Sequence, residues 1–143
     1  MALSLFSRNR QREVQSFVLN LLNNHCPNLH LADEELRLES RVNLTLVVLV
    51  VPVKDGKVQI DQTLVTVSKD FSNTGVSLVL SEPHALDEVV LGFQRRGSVT
   101  FIRAKAKHLS PMGAGFFKLG LKLHEVLASD EYPELSDLAD RFF

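Results

Sequence analysis

Apolar residues recur with a helical period near the N-terminus. Val14, Phe17, Val18, Leu21 and Leu22 fall at i, i+3, i+4, i+7 and i+8, which places them on one helix face. With Ser7 as a cap and Pro27 as a stop, the predicted helix covers residues 8–24. Residues 28–35 are polar and without period, so a connector is expected there. The pattern changes at residue 42. A β-branched run over 42–53 predicts a long buried strand, Lys54-Asp55-Gly56-Lys57 carries the Asp-Gly hairpin signature, and 58–68 reads as the return strand. Turn formers gather over 70–75, where Gly75 suits a positive φ or a close backbone approach. Residues 76–80 and 88–94 predict two more strands, separated by a Pro-containing loop, and Arg95-Arg96-Gly97 turns the chain. Over 98–109, Val99, Phe101, Arg103 and Lys105 alternate with Thr100, Ile102, Ala104 and Ala106; a Gly/Pro loop at 110–115 and a last strand at 116–123 follow.

About six short strands punctuated by turns point to a small antiparallel β-barrel. After it, Pro133 suits a helix start, and Leu135, Leu138, Ala139 and Phe142 repeat at i, i+3, i+4 and i+7. This second helix either lids the barrel or presents its apolar face to a partner or a second copy. The expected organisation is helix and connector over residues 1–34, barrel over 35–127 and C-terminal helix over 128–143.

Composition narrows the partners. With 143 residues, 45% of them hydrophobic and 23% charged, the chain has material for one core. A net charge of -1 argues against duplex nucleic acid, so any anion site must be local. One cysteine, Cys26, allows no internal disulfide, and the first residues have their basic groups after the apolar ones, opposite to a signal peptide. The longest apolar run, 44–53, is about half the ~20 residues of a membrane-spanning helix. A cytoplasmic location is expected.

Catalytic signatures are missing: the sequence has no Walker motif, G-x-G-x-x-G, G-x-S-x-G or H-E-x-x-H. His25, Cys26 and His30 lack a fourth ligand for a metal, and His108 and His124 lack a carboxylate partner motif. The expectation is a non-enzyme without metal or cofactor. Arg8, Arg10 and Arg12 crowd the start of the first helix, either as a solvated basic end or as a contact with ligand, anionic lipid or a partner.

Two stretches carry more specific chemistry. Arg37-Leu38-Glu39-Ser40-Arg41 holds two arginines four apart, and Asp70-Phe71-Ser72-Asn73-Thr74-Gly75 reads D-x-S-x-x-G. In that order and separation they resemble the PilZ domain, a bacterial receptor for the second messenger cyclic di-GMP; the resemblance covers roughly residues 35–127. It implies a six-stranded PilZ-like barrel with Arg37 and Arg41 as phosphate and guanine clamps, Asp70 and Ser72 as base contacts, and Gly75 as a close-approach turn. The residue types suit the task. Guanidinium forks match phosphate oxygens or the O6/N7 edge of guanine, and a carboxylate complements the N1–H and N2–H₂ donors of guanine's Watson–Crick edge. Family members often place a ligand-facing residue two before a Gly on the last strand, here Lys118 before Gly120. Leu36 stands where the family often has an extra arginine when two stacked ligands bind, which tilts the expectation towards one ligand.

The implied function is a cyclic di-GMP effector that passes binding to an unknown protein partner through its N- or C-terminal helix. Residues 28–35, expected to be mobile without ligand, would order when Arg37 and Arg41 close on the phosphates. Two alternatives stand beside it. One is a module of the same fold that mediates protein interaction without the nucleotide. The other is a small barrel for single-stranded nucleic acid, which would want stacking aromatics; here Trp is absent and Tyr132 is the only tyrosine.

Overall fold

The computed structural model describes residues 2–25, 41–128 and 131–143, with side chains of the first helix from Asn9 to Asn23. Leu36, Arg37, the predicted connector and Pro27 lie outside the described residues. The elements in chain order are α1 (Ala2–His25), β1 (Val42–Asn43), β2 (Val47–Lys54), β3 (Lys57–Val58), β4 (Leu64–Ser72), β5 (Gly75–Leu80), β6 (Glu88–Arg95), β7 (Ser98–Gly113), β8 (Phe116–Val126) and α2 (Pro133–Phe142). Strands run β4-β5-β8-β7-β6-β2, all antiparallel, and β2 pairs back onto β4. That closes a six-stranded barrel, with β1 on β4 and β3 on β2 as short additions. Closure leaves no long edge to template aggregation.

Alternation sorts the side chains. Val76, Leu78 and Leu80 of β5 and Leu119, Leu121 and Leu123 of β8 fill the interior, while Gly75, Ser77, Lys118, Gly120 and Lys122 take the outer face of the same two strands. The predicted stripe of α1, Val14, Phe17, Val18, Leu21 and Leu22, is buried and joins this core. Phe17 meets Phe93 at 5.7 Å between ring centroids, and the Arg95 guanidinium lies over the Phe17 ring. These contacts lay α1 across the end of the barrel where β4 finishes and β5 begins.

The opposite side of the wall is dressed by α2. Leu135 and Leu138 are buried against Leu49, Val51, Val90 and Phe101 on the outer face of β2, β6 and β7. Gly92 makes room there, because an added Cβ would stand 2.9 Å from the Phe101 ring and 3.3 Å from Leu49 Cβ. Each buried leucine contributes at most about 1.5–3 kcal/mol. Phe142, the fourth residue of the predicted stripe, is 45% exposed. No described helix is long and apolar enough to cross a membrane.

Several boundaries differ from those the sequence predicts. α1 begins at Ala2, so Ser7 lies within the helix and not at its start. The strand predicted over 42–53 is interrupted at Leu44–Leu46, where buried Ser68 replaces ladder bonds: its hydroxyl donates to the Leu44 carbonyl and accepts from the Leu46 N–H. The return strand breaks into β3 and β4 around a 3-10 turn, Ile60–Gln62, closed by the Thr63 hydroxyl on the Ile60 carbonyl at 2.7 Å. The predicted loop at 110–115 is mostly strand. β7 continues to Gly113, accommodates Pro111 next to a bulge, and turns at Ala114-Gly115, both with positive φ (54° and 82°).

Candidate functional site

The D-x-S segment is not the loose turn that its composition suggests. Asp70 and Ser72 belong to β4, and only Asn73-Thr74 turn before Ser72 pairs with Gly75. What aims them is a bulge: the β4–β5 register jumps between Ser68 and Asp70, leaving Lys69 as the extra residue. Ser68 points into the barrel, and strict alternation would send Asp70 the same way. The bulge instead turns Phe71 inwards, where it is fully buried, and brings Asp70 out beside Ser77.

Arg41 arrives on that face from the other side. It precedes β1, whose Asn43 is the cross-strand partner of Asp70, so Arg41 and Asn43 share the outer side. Arg41 Nε donates to Asp70 Oδ1 at 2.5 Å, and its Nη2 donates to the Ser77 hydroxyl at 3.0 Å. Ser77 in turn bonds the Asp70 carboxylate, and Lys69 Nζ reaches Oδ2 at 3.4 Å. Burial, the largest single influence, raises the Asp70 pKa. The bonds from Arg41 and Ser77, the Arg41 charge and the bond from Lys69 together outweigh it and hold the carboxyl below its ordinary value. Asp70 is therefore an ionised, nearly buried anchor that fixes the Arg41 fork, while Arg41 itself keeps 46% of its side chain exposed. Among the described residues two donors of the guanidinium are engaged, Nε on Asp70 and Nη2 on Ser77.

Around this triangle the outer face is small in the middle and cationic at its rim. Ser77 pairs with Gly120, Gly75 with Lys122, Val79 with Lys118, and Lys122 with Lys105 of β7. Lys118, expected to face the ligand, thus lies on the same face as Asp70 and Ser72. A Cβ at Gly75 would approach the Leu121 carbonyl at 3.1 Å and the Ser72 hydroxyl at 2.9 Å. The residue's need for glycine comes from this close strand approach, and its φ is not positive. Of the sequence candidates, the structure unites Arg41, Asp70, Ser72, Gly75 and Lys118 on one face; Arg37 and Leu36 are not among the described residues. Ser77, Lys122 and Lys105 were not singled out in the sequence. The signal for Lys122 was available in the strict alternation of Lys118, Gly120 and Lys122 with Leu119, Leu121 and Leu123. Ser77, a polar residue between Val76 and Leu78, is the same kind of cue.

No protein-family model matches this sequence, and no curated protein matches it either. Among solved structures, the Bacillus subtilis inhibitor of motility (MotI/DgrA) superposes with a TM-score of 0.48 and 17% identity, over 71% of this chain and 48% of that one. The chain spans about half the length of that protein.

Proposed function

We propose that this chain is a non-enzymatic, PilZ-type receptor for cyclic di-GMP, acting in the cytoplasm, with Arg37 and Arg41 gripping phosphate or guanine and Asp70, Ser72 and Lys118 completing the contact. The observation that supports it best is the meeting of two motif halves 29 residues apart: Arg41 lies 2.5 Å from Asp70. A guanidinium pre-oriented by a buried carboxylate loses little freedom when it closes on a phosphodiester, which is what affinity for a small dianion needs. The row of small residues Gly75, Ser77 and Gly120 lets a flat base approach the strand backbones, with Lys118 and Lys122 beside it.

Coupling to a partner follows from connectivity in this reading. Residues 26–40 join α1 to Arg41 directly, so ligand contact at Arg37 and Arg41 pulls on the segment that leads to the helix. Calorimetry with cyclic di-GMP, beside GTP and an oligonucleotide, tests the assignment. Arg41→Lys keeps the charge and the Asp70 pairing but loses the fork. It should weaken cyclic di-GMP binding about tenfold or more, since a charge-assisted bond is worth ~1.5–3 kcal/mol. Arg12→Ala should leave it unchanged. Equal affinities for the two variants would remove Arg41 from the site, and heat with the oligonucleotide alone would favour the nucleic-acid reading.

A further inference from the structure

Where α1 crosses the barrel wall, a second cationic feature stands beside the face just described. β8 bulges at His124, because the β7–β8 register jumps from Arg103↔Glu125 to Ala104↔Leu123. The extra residue faces a cavity of about 140 Å³ lined by Arg10 and Gln11 of α1, Arg103 of β7, and Lys122, Leu123 and His124 of β8. That is several times the ~30 Å³ a water occupies in the liquid, enough for a five-atom oxyanion. The His124 Nε2 atom is buried and has no hydrogen-bond partner among the described residues. Buried polar atoms are satisfied in the great majority of native sites, so an orphan atom on a residue that lines a cavity draws attention to that cavity.

We propose that this cavity is a site for a phosphate-class oxyanion, held by Arg10, Arg103 and Lys122 beside the imidazole of His124. The surrounding charges favour an anion. The groups that face His124 are Arg10 from α1, Arg103, Lys105 and Lys107 from β7, and Lys122 from β8; the acids nearby are Glu125 and Glu88. Both acids are engaged. Glu125 meets Arg103 at 3.3 Å and Arg10 at 4.0 Å, and Glu88 meets Arg103 at 3.7 Å. Burial first, and then the charges of Arg103, Lys122, Lys107 and Lys105, keep the imidazole neutral to lower pH than usual. An anion reverses that balance, so its arrival should carry a proton onto His124. Because Arg10 belongs to α1 and the other cations to the barrel, occupancy also clamps the helix to the wall. The site stands apart from the cyclic di-GMP reading, with which it shares only Lys122.

The test follows the His124 ring resonance by NMR in the full chain, titrated with inorganic phosphate at ionic strength balanced by chloride. The expected result is a saturable shift and a rise of about one unit in the His124 titration midpoint. Arg10→Gln should weaken phosphate about tenfold, while Arg41→Lys leaves it unchanged. A shift that never saturates, or that chloride reproduces, overturns the site, as does an Arg10→Gln variant that binds phosphate like the wild type. Vesicles of phosphatidylglycerol against phosphatidylcholine identify the source. Retention on the former that Arg10→Gln abolishes supports the site with a lipid headgroup as its anion. No retention beside a saturable phosphate titration supports it with a soluble phosphate.

Discussion

Asp70→Asn separates a charge-built cluster from a merely polar one. The side chain of Asp70 is 5% exposed and that of Arg41 46% exposed. A hydrogen bond to a charged group is worth ~1.5–3 kcal/mol, but the amide keeps one acceptor and the exposed half of Arg41 can return to water, which discounts the loss. The net cost should be about 1–2 kcal/mol, or roughly 3–8 °C in Tm for a chain of this size. The pH dependence is the sharper reading. The Asp70 pKa is lowered from its ordinary 3.8, so the unfolded state binds its proton first as pH falls. The stabilisation is therefore complete above 3.8 and disappears as pH drops through the lower folded value. Urea unfolding of both proteins between pH 7 and 3 should show a gap that is full at neutral pH and closes in acid. A gap that stays constant would mean that the charge is not what holds Arg41. Lys69→Ala serves as the control: at 3.4 Å and 42% exposed it should change stability by less than about 0.5 kcal/mol.

Gly75→Ala should cost about 1–2 kcal/mol in thermal unfolding, and Ser72→Gly in the same chain should recover little of it, because the Leu121 carbonyl at 3.1 Å remains; full recovery would place the clash on the hydroxyl. Leu138→Ala should destabilise by about 2–4 kcal/mol and Phe142→Ala by less than about 0.5, since one is 1% and the other 45% exposed. Equal effects would mean that α2 does not dock as described. For the coupling reading, amide exchange over residues 28–41 should slow on addition of cyclic di-GMP, with a smaller change in α1; identical exchange with and without saturating ligand would refute that route.

The fold was readable where burial enforces a period. The stripe of α1, the alternation at the start of β7, the last strand β8, and the Asp-Gly and Arg-Gly hairpins all stand in the structure at or near the predicted positions. Misreadings fall where a side chain substitutes for a backbone partner or where the register slips. Nothing in the composition of residues 42–53 announces that Ser68, more than twenty residues away, interrupts the strand. Likewise, the turn formers of 70–75 conceal a β4 strand that runs to Ser72, because a tight Asn73-Thr74 turn suffices once Gly75 lets the strands close up. The site was half legible. Residue types named Arg41 and Asp70, but their contact depends on β1–β4 pairing, and Ser77 joins them only through the β4–β5 register.

Register slips account for more than the misreadings. One bulge on β4, at Lys69, shifts Asp70 to the outer face; another on β8, at His124, leaves an imidazole beside the cavity under α1; a third on β7, between Ala106 and His108, adds Lys107 to the charges near that imidazole. These three, and a fourth beside Pro111, lie in the pairings of the run β4-β5-β8-β7, whereas the β2–β6 and β6–β7 pairings under α2 show no such shift. A regular barrel would keep each strand's polar residues in one phase and its apolar residues in the other. Bulges let the wall keep an apolar interior while placing polar groups where pure alternation would not. The division of labour follows from that. The unshifted β2–β6 and β6–β7 pairings present Leu49, Val51, Val90 and Phe101 for α2 to bury, whereas the bulged part of the wall gathers Arg41, Asp70, Ser77 and the lysines onto one cationic face.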